Sequence, residues 1–136
     1  MIDVAKRKAD ECKIKNINYA QTTIFDEGFK KESLNVILAF NILHLLEKRH
    51  EALKRINELL TPGGLFISTT ACLGEKSSFI LGAFLFLLSR IGLIPYLKLF
   101  KISELENLVI QGNFKIVEAK ILKSFPSNHF IAAKKT

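Results

Sequence analysis

His44 stands just past a nearly unbroken apolar run, Leu34, Val36, Ile37, Leu38, Ala39 and Phe40, interrupted only by Asn35. A neutral imidazole there can take a proton from an oxygen or nitrogen nucleophile near pH 7. Its plainer role is to start the following helix and be hydrogen-bonded there. Phe40 and Asn41 end the run, and open parallel sheets place their ligands at the carboxyl ends of strands. The plainer reading of these two is strand-end packing and a turn. His50 and His129 read as surface or strand positions, and Glu75 and Lys76 as a solvated loop. Cys12 and Cys72 lie far apart without metal-type spacing, so no metal site is expected.

These residues need elements to hold them. The run at Leu34 is too short for a membrane-spanning helix and is typical of a strand covered on both faces, as in parallel sheets. From Arg49 to Leu60, Ala52, Leu53, Ile56, Leu59 and Leu60 recur at helical spacing, with Lys48, Arg49, Glu51, Lys54, Arg55 and Glu58 on the other face. Pro62 discourages helix at Thr61, and Gly63-Gly64 permits a sharp turn into Leu65-Phe66-Ile67-Ser68. The sum is a strand, helix, strand crossover.

Around this centre, Ile2, Ala5, Ala9 and Cys12 mark an opening helix, and Ile17 and Tyr19 alternate with polar residues as a short strand. A polar loop follows from Asp26 to Ser33. Ser103 with Glu106 reads as a capping box, Leu105, Leu108 and Val109 as an apolar helix face, and Gly112 as the helix end. Phe114, Ile116, Ala119 and Ile121, then His129 to Ala133 beyond a turn at Pro126, read as a closing antiparallel hairpin. The 136 residues, 49% hydrophobic, suit one domain without disulfides. No cleavable apolar signal precedes the basic Met1 to Lys15 segment, which with two cysteines far apart in sequence points to a reducing, cytoplasmic setting. The net charge of +7 is spread along helix faces without aromatic interleaving, which argues against nucleic-acid binding.

In this order the local words Met1 to Lys6, Leu34 to His44, Leu59 to Ile67, Gly112 to Glu118 and Phe130 to Lys134 resemble the class I methyltransferases that use S-adenosylmethionine. The resemblance covers nearly the whole chain and implies an α/β, Rossmann-like sheet with helices on both faces and a C-terminal antiparallel hairpin. The family's leading unit, a strand, an acidic-Gly-x-Gly turn, a helix and a second strand ending in an acid, has no counterpart. None of the seven glycines forms a Gly-x-Gly turn. The chain reads as one partial domain over 1–136, with the family's sheet edges at the Ile17 and Leu34 strands left open. Such edges recruit strands, so re-pairing, self-association or a strand-supplying partner is expected.

The resemblance also implies a surviving part of the cofactor site. Thr23 and Ile24 match the positions that accept from the adenine amino group and pack on its ring, with Thr23 replacing the usual acid. Phe40 and Asn41 match positions bordering the cofactor, and His44 is the candidate catalytic base. Methyl transfer from a sulfonium relies largely on positioning and solvent exclusion, so a base is optional.

An apolar insertion, 75–100, occupies the place of the family's substrate cover, with Phe79, Phe86 and Tyr96 as substrate-binding candidates. Its uninterrupted run is about half of the roughly 20 residues needed to cross a bilayer. It suits a lid over an apolar or amphipathic substrate, a self-association surface, or a helix lying on a membrane. The expected function is methyl transfer to a small apolar or amphipathic molecule, weak or absent in this chain alone; the alternative is a noncatalytic dimerisation or partner-binding module.

Overall fold

A computed structural model describes residues 2–72, 79–93, 98–122 and 128–136. The element order is α1 (Ile2–Glu11), β1 (Leu34–Phe40), α2 (Arg49–Leu59), β2 (Leu60–Ala71), α3 (Phe79–Arg90), α4 (Ile102–Gln111), β3 (Phe114–Leu122) and β4 (Asn128–Lys135). The sheet runs β1-β2-β4-β3. β1 and β2 are parallel, with Ile37 beside Phe66, as the crossover requires. β4 pairs antiparallel with both β2 and β3, so the expected hairpin closes the sheet. This is a mixed α/β, Rossmann-like sheet.

The crossover turn is a bulge inside the ladder. Leu34 sits opposite Leu60 and Val36 opposite Leu65, so Thr61 to Gly64 loop out across from Asn35. Gly63 takes φ +76°, and a Cβ on Gly64 would lie 2.9 Å from the Thr61 carbonyl oxygen and 3.1 Å from that of Asn35. The two glycines therefore answer to separate demands, one conformational and one steric.

Strand parity decides where the core lies. Phe66, Ser68 and Thr70 of β2 are buried, as is Cys72 just beyond it, and the strand residues share a face with Ile131 and Ala133 of β4. α2 contributes Leu53 and Ile56 to this face, and α4 contributes Leu105, Leu108 and Val109. The Phe66 and Phe114 rings lie 5.4 Å apart in a tilted arrangement. Gly112 lets α4 approach α2, since a Cβ there would meet the Leu53 Cβ at 3.1 Å. The helix ends at Gly112 as expected, but the left-handed residue is Asn113, at φ +62°.

The opposite face differs from the expectation that the Leu34 run is covered on both sides. Val36, Leu38, Phe40 and Leu65 are exposed, because α2 and α4 both lie on the other face. The Ile17–Tyr19 segment forms no strand, having no ladder partner among the described residues. It is tied instead to α1, through the Tyr19 hydroxyl donating to the Ala5 carbonyl at 3.3 Å. α4 starts two residues earlier than the Ser103–Glu106 pattern predicts. Glu104 Oε2 accepts from the Lys101 N–H at 3.3 Å, which frees Glu106 for a different partner.

Candidate active site at the strand ends

The β1–β2 ladder ends with Phe40 beside Thr69, two residues before β2 itself stops at Ala71. The Asn41 N–H donates to the Thr69 carbonyl at 2.8 Å, adding one bond beyond β1, and φ +52° then swings the chain away. Asparagine tolerates that left-handed geometry better than most side chains, so the turn role read from the sequence is realised. Phe40 lies on the open face and is exposed, which leaves its ring free to pack against a flat ligand.

His44 does not open α2. It sits in a single 3-10 turn, Leu43–Leu45, anchored by fully buried Leu43, and α2 begins only at Arg49. Its carbonyl accepts from the Lys98 N–H at 2.8 Å, pinning the turn to the segment that follows α3. Its side-chain Nδ1 is buried with no hydrogen-bond partner among the described residues. Partial burial holds the imidazole pKa below its ordinary 6.5, since desolvation disfavours the charged ring. Burial thus favours the neutral ring, the form a proton acceptor needs.

Thr23 and Ile24 are held elsewhere. The Thr23 hydroxyl accepts the Phe25 N–H at 3.2 Å, a local turn contact that uses part of its acceptor capacity. Ile24 is half-buried against the main core. Arg55 of α2 donates to the carbonyls of Ile24, Asp26 and Phe29 at 3.4, 3.3 and 3.0 Å, and pairs with Glu58 at 3.4 Å. Asp26 in turn accepts the Gly28 N–H at 2.8 Å. The loop then reaches β1 through the Glu32 and Ser33 N–H groups, which donate to the Glu58 and Leu59 carbonyls. Arg55 fastens the Thr23–Ile24 loop to the flank of α2, whereas Phe40, Asn41 and His44 cluster at the strand ends.

Of the substrate candidates, Phe86 is exposed on α3; Tyr96 and the side chain of Phe79 lie outside the described residues, as do 73–78 and 94–97 of the insertion. Among the described residues no cluster of acidic, cysteine or histidine side chains could hold a metal ion. No helix among them is long and apolar enough to cross a membrane.

Two features escaped the reading of the sequence. Arg55 looks like any solvated helix cation, and nothing local signals that it caps three carbonyls. His129 carried a signal, because it shares parity with Ile131 and Ala133 on the buried side of β4. It is buried and its Nε2 lies 2.9 Å from Glu106 Oε1, over a polar floor where Ser68 Oγ, Thr70 Oγ1 and His129 Nδ1 find no partner among the described residues.

Comparison with known proteins agrees with the topology. A family model described as a methyltransferase domain matches residues 1–89. Squalestatin hexaketide synthase of Phoma sp. is 30% identical over 92 residues, covering 60% of this chain but 4% of that protein. The chain therefore spans a small fraction of this curated relative. The crystal structure of a putative methyltransferase from Bacillus halodurans superposes with a TM-score of 0.78 at 11% identity, covering 98% of this chain and 78% of that one. The [4+2]-cyclase SpnF superposes with a TM-score of 0.76 at 11% identity, over 98% of this chain and 62% of its own. At such identities the likeness concerns fold, and SpnF carries a different reaction by name. With more than half of its length matched by the family model, the chain belongs to the methyltransferase-domain family.

Proposed function

We propose that this chain forms the strand-end and substrate side of an S-adenosylmethionine-dependent methyltransferase domain acting on a small apolar or amphipathic acceptor. The observation that carries the reading is the parallel β1–β2 pair of a methyltransferase-family chain ending at exposed Phe40, with His44 four residues on carrying an Nδ1 that has no partner among the described residues. When bound, the cofactor supplies an activated methyl group on a sulfonium. The residues here fit only part of that cofactor. Phe40 offers a ring face, Thr23 and Ile24 one hydroxyl and an apolar contact, but no Gly-x-Gly turn or ribose-binding acid accompanies them.

The open side of β1 is where the remainder would join, either from polypeptide upstream or from a strand-supplying partner, a second copy included. His44 would accept the acceptor's proton, and the insertion would exclude water. The curated relative is named for polyketide synthesis, which supports an apolar acyl acceptor. The wide sequence separation of Cys12 and Cys72 supports a reducing, cytoplasmic setting.

Calorimetry with S-adenosylmethionine tests this on the present chain beside an upstream-extended polypeptide. The extended form should bind and turn over, and the present chain should bind far more weakly. An extended form that binds no cofactor would sink the proposal. A second reading, a noncatalytic partner-binding module, draws on the exposed Val36, Leu38 and Phe40 face. A strictly monomeric species that captures no complementing segment would remove that one.

A further inference from the structure

α3 carries no charged residue between Phe79 and Ser89, yet it is not a core helix. Ile80, Phe84, Leu87 and Ile91 follow at spacings of four, three and four, which puts them on one stripe. That stripe faces solvent, at 86%, 59%, 60% and 62% exposure respectively. The other side, with buried Gly82 and half-buried Leu85, Leu88 and Ser89, turns toward the protein. Leu93, just past the helix, is exposed as well. A surface helix ordinarily has its apolar stripe inward and its polar stripe outward, and here the outward stripe is the apolar one.

The charges nearest this stripe in sequence, from Lys76 to Lys101, have a single sign. Lys76, Arg90, Lys98 and Lys101 are the only charged residues between Glu75 and Glu104. Within a chain of net charge +7, the least acidic stretch is the one that contains the exposed stripe. Packing α3 against a second copy of itself would bring two such cationic stretches together. A sheet of anionic headgroups over hydrocarbon satisfies both the greasy stripe and its basic flanks. The helix has 12 residues, about 18 Å at 1.5 Å per residue, too short to cross some 30 Å of hydrocarbon. It can lie in the plane of the interface.

We infer that α3 docks this protein on an anionic membrane surface, with Ile80, Phe84, Leu87 and Ile91 entering the acyl boundary and basic residues meeting lipid headgroups. The inference goes beyond methyl transfer and does not depend on it. A surface-bound domain would meet amphipathic acceptors where they partition.

Flotation of the full chain with vesicles tests it, using phosphatidylcholine alone and two parts phosphatidylcholine to one part phosphatidylserine. The wild type should float with the mixed vesicles, and added salt should release it as headgroup attraction is screened. Phe84→Asp and Leu87→Asp should each reduce bound protein roughly tenfold or more, with an unchanged circular dichroism spectrum. Arg90→Gln should weaken binding to mixed vesicles by a smaller factor. Three results would overturn the inference: no flotation of the wild type, equal flotation on phosphatidylcholine alone, or unchanged flotation of the aspartate variants. Self-association abolished by Phe84→Asp in a wild type that does not float would assign the stripe to a second copy.

Discussion

The two faces of the sheet are built from the same strands and similar residues, yet only one is packed. On the α2–α4 side, Phe66, Leu53, Leu105 and Ile131 have no accessible surface, whereas on the other side Val36, Leu38, Phe40 and Leu65 remain exposed. Hydrophobic character alone therefore does not define a core; a second layer must exist to bury it. The packed face holds this chain together, and the open face is where further structure can add.

The comparison would break first at Phe66. Phe66→Ala should cost about 3–5 kcal/mol of unfolding free energy, because the site is sealed by Phe114 and two helices. Leu38→Ala, on the open face, should cost under about 1 kcal/mol, since surface truncations away from packing have small effects. Urea denaturation of both variants measures the contrast. Equal losses would mean that the open face is already covered in solution by another chain.

The junction between β1 and β2 sharpens the point. Gly64→Ala places a methyl against two backbone carbonyls that no side-chain rotation can relieve, so about 1–3 kcal/mol should be lost. A neutral result would show that the bulge can shift, and that the β1–β2 register is softer than the ladder suggests. Arg55→Met comes next. It removes three donations to the 24–29 loop and should accelerate hydrogen exchange at the Gly28 and Phe25 amides by roughly tenfold, an effect of about 1–2 kcal/mol. Undisturbed exchange there would mean that the Asp26 turn alone orders the loop.

How much of this was legible in the letters follows from which interactions are local. The helical spacing of Leu53, Ile56 and Leu59, the Pro62-Gly63-Gly64 punctuation and the alternation in β4 all report their own elements, and each was readable. The Ile17 segment was misleading because its alternation is real while its strand partner is not in the described chain; period-two patterning describes a face and leaves the neighbour unstated. The capping box misled by two residues, since Glu104 and Glu106 both stand near the helix start and only the fold decides which turns back. Arg55 was invisible because its three acceptors lie 26 to 31 residues earlier in the sequence. Of the site, Asn41's turn was readable, and the burial of His44 Nδ1 without a partner among the described residues depended on distant segments.

That burial supports the smallest of the expected effects. His44 is depressed below its ordinary 6.5 in the folded state because desolvation penalises the imidazolium. As pH falls through 6.5 the unfolded chain takes up a proton on this residue before the folded one does, so the stability it contributes is complete above 6.5 and is lost toward the folded-state pKa. His44→Asn should flatten the pH dependence of unfolding just below 6.5 by a small fraction of the total, leaving stability above it little changed. The sharper readout is the ring itself. Its proton resonances should titrate with a midpoint below 6.5, and binding of an opposite charge beside it would raise that midpoint. A midpoint at or above 6.5 in the isolated chain would mean that the imidazole is solvated or paired, and the role proposed for His44 as a neutral base at the strand ends would fall.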